Sequence, residues 1–125
     1  MHKVKTQTET ETFVAEALER FTARLEKLFS EEKEGLDQVR DRSRLQYLAD
    51  IQTYAEKRKQ DYERQYNQNL ARLSNLGRGR KGQVTIGVYM QKQDVYNRIF
   101  ENSLGLLIEE IGRLIMRRGE KLKVA

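Results

Sequence analysis

Apolar residues recur along most of this chain at the three- and four-residue spacing of an α-helix. The longest such stretch runs from Leu36 to Leu76, contains no proline, and has glycine only at its flanks, Gly35 and Gly77. Its apolar and aromatic positions are Leu36, Val39, Tyr47, Leu48, Ile51, Tyr54, Ala55, Tyr62, Tyr66, Leu70, Leu73 and Leu76. A helix over 36–76 would extend about 60 Å, so we expect other helices to pack along it.

A first helix is predicted over residues 8–34. Thr8 and Glu11 have the spacing of a capping box, in which each side chain binds the free backbone amide of the other residue. The apolar positions that follow are Val14, Leu18, Phe21, Leu25 and Leu28, widened by Phe13, Ala17 and Phe29. Gly35 is a natural helix stop. Because little loop remains before Leu36, helices 8–34 and 36–76 are predicted to form a long antiparallel hairpin.

A third helix is predicted over residues 94–118. Its broad apolar face consists of Tyr96, Ile99, Phe100, Leu104, Leu107, Ile108, Ile111, Leu114 and Ile115. Residues 77–93 are predicted to be a basic, glycine-rich loop and connector. Within it, apolar residues alternate over 83–93 as they do in a strand. This segment is therefore either a strand or the first turns of helix three. We prefer the helical or irregular alternative, since a lone strand has no partner. The chain is thus predicted to be a single all-α domain, 1–125, of three principal helices.

Composition argues against catalysis and against a bound cofactor. The 125 residues include no cysteine and one histidine, His2, and no Glu-x-x-His pair is present for a di-iron bundle. No apolar run approaches the length of a membrane span, and the N-terminus lacks the apolar core of a signal peptide. We therefore expect a non-enzymatic protein with no cofactor, no metal and no membrane partner, located in the cytoplasm.

The formal net charge of +5 is unevenly distributed along the chain. Residues 1–34 carry a net charge of −2, residues 35–76 of +2, and residues 77–125 of +5. This asymmetry indicates an acidic partner for the C-terminal part of the chain. The same charges are equally typical of solvated helix surfaces, and composition alone leaves both interpretations open.

The loop after Leu76 is the main candidate for contact with nucleic acid. Arg78, Arg80 and Lys81 could hold phosphates. The loop's glycines match the letters of a dinucleotide motif, but that motif follows a strand, and here a long helix precedes it. A solvated turn is the alternative. Further candidate phosphate-binding residues are Arg113, Arg117, Arg118 and Lys121 in the last helix and, more weakly, Lys57, Arg58 and Lys59.

Three tyrosines of the second helix are candidates for stacking on bases. Tyr54, Tyr62 and Tyr66 lie on one helical stripe with Arg58, among other basic and amide residues. Tyrosines interleaved with cations can stack bases while the cations hold phosphates. The alternative is a thin packing seam with the hydroxyl groups at its wet edge. We prefer the packing seam.

A row of glycines predicts a protein interface on helix three. Gly105, Gly112 and Gly119 repeat every seven residues, and each lowers helix propensity by about 1 kcal/mol relative to alanine. Such a row suggests close approach by another helix, although chance spacing is the alternative. The apolar residues assigned to the same interface are Leu104, Ile108, Ile111 and Ile115. We expect a homo-oligomer or a subunit of a larger complex.

These patterns predict a non-catalytic nucleic-acid-binding subunit that grips the DNA or RNA backbone with little sequence selectivity. Small basic helical bundles serve in this way in CRISPR effector complexes and plasmid relaxation complexes, an analogy of fold alone. The alternative function is a coiled-coil adaptor or scaffold that binds other proteins. If the cations of the loop and of helix three lie on one continuous face, nucleic-acid binding is favoured. If they are scattered, the adaptor function is favoured.

Overall fold

A computed structural model describes residues 7–76 and 86–117, and within these residues the chain is all-α. Helix α1 spans Gln7–Lys33, α2 spans Arg42–Leu76 and α3 spans Ile86–Met116. No strand occurs in these two ranges. The predicted fold class, a helical hairpin plus a third helix, is therefore confirmed.

The start of α2 differs from the predicted start at Leu36. Residues 38–41 form a turn that the carboxylates of Asp37 and Asp41 stabilise. The Asp37 Oδ1 atom accepts hydrogen bonds from the backbone amides of Val39 and Arg40, at 2.8 and 3.1 Å. The Asp41 Oδ2 atom accepts one from the Asp37 amide at 2.8 Å. Asp37 thereby caps the turn 38–41, in which the Asp41 amide donates to the Asp37 carbonyl at 2.7 Å, and the regular helix begins at Arg42.

The start of α3 also differs from the predicted start at residue 94. The helix begins eight residues earlier, at Ile86, so the helical alternative is correct for residues 86–93. Residues 83–85 lie outside the described part of the chain. Ile86 and Val88 therefore lie on a helix, even though their alternation is typical of a strand.

Helix α3 lies against both other helices. It makes most of its contacts with α2, fewer with α1, and α1 and α2 touch each other sparsely. Contacts between the pairs Tyr66–Asn97 and Tyr47–Leu114 show that α2 and α3 are antiparallel. The core between them and α1 contains Ala17, Phe21, Phe29, Leu48, Ile51, Ala55, Tyr66, Phe100, Leu104, Leu107, Ile108, Ile111 and Ile115. Apart from Ile99, the broad apolar face of α3 is thus covered by two helices of its own chain.

The C-terminal end of α3 is held by two side chains of α2. The Arg44 Nη2 atom donates to the Ile115 carbonyl and to Glu32 Oε1 of α1, both at 2.6 Å. The Tyr47 hydroxyl donates to the Leu114 carbonyl at 2.6 Å. The last carbonyls of a helix have no partner within the helix, so these donors satisfy them. All three helices are thereby joined at one end of the bundle.

Candidate nucleic-acid interface

The predicted loop cations Arg78, Arg80 and Lys81 lie outside the described residues, as do Arg118, Gly119 and Lys121. The structure therefore neither supports nor opposes their assigned roles. The residues that flank the loop, Leu76 and Ile86, lie at the end of the bundle where α2 ends and α3 begins.

Arg113 and Arg117 lie at the other end of the bundle. Both side chains are exposed, at the C-terminal end of α3. This helix has 31 residues and is therefore about 46 Å long at about 1.5 Å per residue. Arg113 and Arg117 thus do not form one compact patch with the residues that flank the loop.

The three basic residues in the middle of α2 have different surroundings. Lys57 is exposed. The Arg58 Nη2 atom donates to the Tyr62 hydroxyl at 2.7 Å, and this bond raises the pKa of Arg58. Lys59 forms an ion pair with Glu56, with 2.8 Å between Nζ and Oε1. Of the three, Lys57 is the one with no such contact to a neighbouring side chain of α2, so it is the most readily available to a phosphate.

Tyr66 lies in the core and not on a surface that a base could reach. Its side chain is 2% exposed, and its ring stacks on that of Phe100 with 5.0 Å between the centroids. The ring of Phe13, from α1, lies 5.9 Å away. The Tyr66 hydroxyl donates to Asn97 Oδ1 at 2.5 Å. Burial and, secondarily, the charge of Glu101 raise the pKa of Tyr66 to about 12. The stacking role assigned to this residue is incompatible with its position.

Tyr54 and Tyr62 are half-buried against the same core. The Tyr54 hydroxyl donates to Glu110 Oε2 on α3 at 2.8 Å. This hydrogen bond, together with partial burial, raises the pKa of Tyr54. The Tyr62 ring lies under the guanidinium of Arg58, 5.0 Å from its centroid. These contacts fit the packing seam, with hydroxyls at its edge, better than a platform for bases.

The four aliphatic residues assigned to an interface lie inside the chain's own core. Leu104, Ile108, Ile111 and Ile115 are at most 7% exposed, because α1 and α2 cover them. They cannot contact a partner while this core is intact. In this chain α1 and α2 together cover the face of α3 that carries these four residues.

The glycines Gly105 and Gly112 are not needed for helix packing within the described chain. A Cβ atom built on either would meet no heavy atom within 4 Å. No helix of the described residues therefore approaches them closely enough to require glycine. The predicted role of the row against a partner helix stays a prediction.

Replacing Gly112 by alanine is expected to raise the free energy of unfolding by about 0.5–1 kcal/mol, because alanine favours the helix and meets open space. Gly35→Ala is the matched control. Gly35 has a φ of 82°, which strains alanine, so this variant should be less stable than the unaltered chain. Urea denaturation measures both changes. A Gly112→Ala variant that loses stability would mean that something packs at this position.

Sequence reasoning missed the group formed by Glu32, Arg44 and Tyr47 at the end of α3. The Arg44 side chain is 9% exposed and that of Glu32 is 10% exposed. The Arg44 guanidinium also lies 5.4 Å from the centroid of the Tyr47 ring. This group stabilises the bundle and does not present a free cation to a ligand.

The described residues show neither a metal site nor a membrane span. No group of three or more His, Cys, Asp or Glu side chains in residues 7–76 and 86–117 is placed to hold a metal ion. None of the helices in these ranges is long and apolar enough to cross a membrane. Comparisons with protein-family models, with curated proteins and with solved structures found no match to this chain.

Proposed function

We propose that this chain is a non-catalytic nucleic-acid-binding subunit that contacts the phosphate backbone as part of a larger nucleoprotein assembly in the cytoplasm. One observation carries the proposal. Residues 7–76 and 86–117, which include all three helices, contain sixteen basic and eighteen acidic side chains, a net charge of −2. The stretches 1–6, 77–85 and 118–125 contain eight basic and one acidic, a net charge of +7.

This separation of charge suggests that the helical bundle is the scaffold and that the short basic stretches bind the phosphates. A near-neutral helical bundle has little long-range attraction for a polyanion, whereas short basic stretches release counterions when they bind phosphates. Arg78, Arg80 and Lys81 would hold phosphates at one stretch. Arg118 and Lys121 would do so at another, next to the exposed Arg113 and Arg117. None of these side chains suggests a pattern for reading base edges, so we expect binding to depend weakly on sequence.

Changing Arg78, Arg80 and Lys81 together to alanine tests the proposal. Each neutralised phosphate contributes about 0.9 to the slope of log affinity against log salt on duplex DNA, and about 0.7 on single strands. The triple variant should therefore flatten the slope by roughly two to three units and weaken binding to unrelated sequences about equally. Fluorescence anisotropy across a salt series, with mixed DNA and RNA probes, measures the slope.

The matched control changes three exposed cations of α1, Arg20, Arg24 and Lys27, to alanine. The net charge falls by the same amount, but α1 is an acidic helix, so the slope should change little. Equal slopes for both triple variants and the unaltered chain would contradict a phosphate-binding loop. A loss confined to one sequence would contradict backbone-only recognition.

A protein-binding adaptor is the second candidate function. The observation that favours it is the placement of the described candidate phosphate-binding residues: Arg113 and Arg117 lie at the far end of α3, whereas Lys57, Arg58 and Lys59 lie in the middle of α2. An adaptor should show no salt-dependent affinity for DNA or RNA in the anisotropy series. The variant in which Arg78, Arg80 and Lys81 are all alanine should then still bind the adaptor's protein partners.

A further inference from the structure

Helix α3 carries a second stripe of residues on the side opposite the core. We call it the outer seam and define it as Val88, Lys92, Val95, Ile99, Asn102, Leu106, Glu109, Arg113 and Met116. These positions follow one another in strict steps of four and three, the repeat of a coiled coil. All nine side chains are exposed.

The apolar members of the outer seam are unusually open to solvent. Leu106 is 62% exposed and Met116 is 73% exposed, while Val95 and Ile99 are 46% and 44% exposed. Five of its nine positions are apolar, so apolar residues are spread along the whole outer seam between polar ones. Neither α1 nor α2 covers it, because both lie on the inner face of α3.

We propose that the outer seam binds the outer seam of a second copy of this chain, with the two α3 helices antiparallel. The charges along the seam select this occupant and this orientation. When the two helices are antiparallel, Lys92 of each copy lies opposite Glu109 of the other. The same register places Val95 opposite Leu106, an apolar layer beside the charged one, and Arg113 opposite Val88.

A parallel pair would bring like charges together. Each seam residue would then face its own counterpart, so Lys92, Glu109 and Arg113 would each form a layer of two like charges. Like charges at facing positions disfavour a pairing. In the antiparallel register the two central layers pair Ile99 with Asn102. Asn102 therefore meets no second amide in the antiparallel pair, and the orientation rests on the charged layers alone. This inference does not rest on nucleic-acid binding.

A charge-reversal cycle tests the orientation. Lys92→Glu and Glu109→Lys should each weaken the dimer about tenfold, because each converts two attractive contacts per dimer into repulsive ones. The double variant restores both contacts and should recover the original dissociation constant. Analytical ultracentrifugation measures all four chains. Additive losses in the double variant would overturn the antiparallel pairing.

Replacing an apolar residue of the outer seam by a polar one tests whether this surface forms the dimer. Leu106→Gln should weaken the dimer about a hundredfold, since it removes two large apolar contacts per dimer. The matched control is Val39→Gln, because Val39 is 83% exposed but lies in the turn before α2. The control should leave the dissociation constant unchanged. A monomeric unaltered chain, or a dimer equally affected by both substitutions, would overturn the proposal.

The absence of cysteine allows a direct test of register. A chain with both Val95→Cys and Leu106→Cys should form intermolecular disulfides on mild oxidation, because these positions face each other between antiparallel copies. Each single variant should not, since two copies of one position then lie about 16 Å apart along the axis. Efficient crosslinking of the Val95→Cys chain alone would indicate a parallel pair and contradict the proposal.

Discussion

Replacing Arg44 by alanine is expected to lower the free energy of unfolding by about 3 kcal/mol. The substitution removes the guanidinium that pairs with the part-buried carboxylate of Glu32 and that donates to the carbonyl of Ile115. Removing one partner of a buried pair costs more than the pair contributes, because the remaining charge stays desolvated. The contact between the guanidinium and the Tyr47 ring is lost as well.

Urea denaturation followed by circular dichroism measures this loss, and Arg42→Ala is the matched control. Arg42 begins the same helix but is exposed, so its removal should change stability by at most about 0.5 kcal/mol. A double variant with Arg44→Met and Glu32→Gln removes both charges and should be less destabilised than Arg44→Ala. Equal stability of the Arg44→Ala and Arg42→Ala chains would show that the ion pair does not form in solution.

The helices could be predicted from the sequence wherever a buried face repeats without interruption. The bounds of α1 lie within one residue of those predicted, and α2 ends at Leu76 as predicted. The start of α2 could not be predicted from spacing, since Leu36 and Val39 continue the helical pattern. Val39 is nevertheless 83% exposed, because the side chain of Asp37 holds this segment in a turn.

How deeply a side chain is buried depends on the helices that pack around it, so the spacing of residues within one helix does not predict it. Tyr54, Tyr62 and Tyr66 share a stripe, yet Tyr66 alone is enclosed, because Phe13 and Phe100 meet there. Ile99 was assigned to the core face, yet it is 44% exposed on the outer seam. Arg44 carries no local signature, since its partners are 12 and 71 residues away in sequence.

The stability of the fold is expected to fall by roughly 2 kcal/mol as the pH rises from below 10 to about 12, because Tyr66 is buried. Its folded pKa of about 12 lies above the ordinary value of 10.0. The unfolded chain therefore loses this proton at a lower pH than the folded chain does. The stabilising contribution is complete below pH 10 and is lost as the pH rises through the folded value.

Tyr66→Phe separates this effect from general alkaline unfolding. The variant should be about 1 kcal/mol less stable at neutral pH, because the buried Asn97 Oδ1 loses its donor. Its stability should then fall less between about pH 10 and 12 than that of the unaltered chain, since it has no phenol to ionise at this position. Tyr54→Phe controls for the other tyrosine with a raised pKa, whose half-buried hydroxyl should contribute less. Urea denaturation at stepped pH measures all three chains. If the unaltered and Tyr66→Phe chains lose stability in parallel, the Tyr66 phenol is not protected by the core in solution.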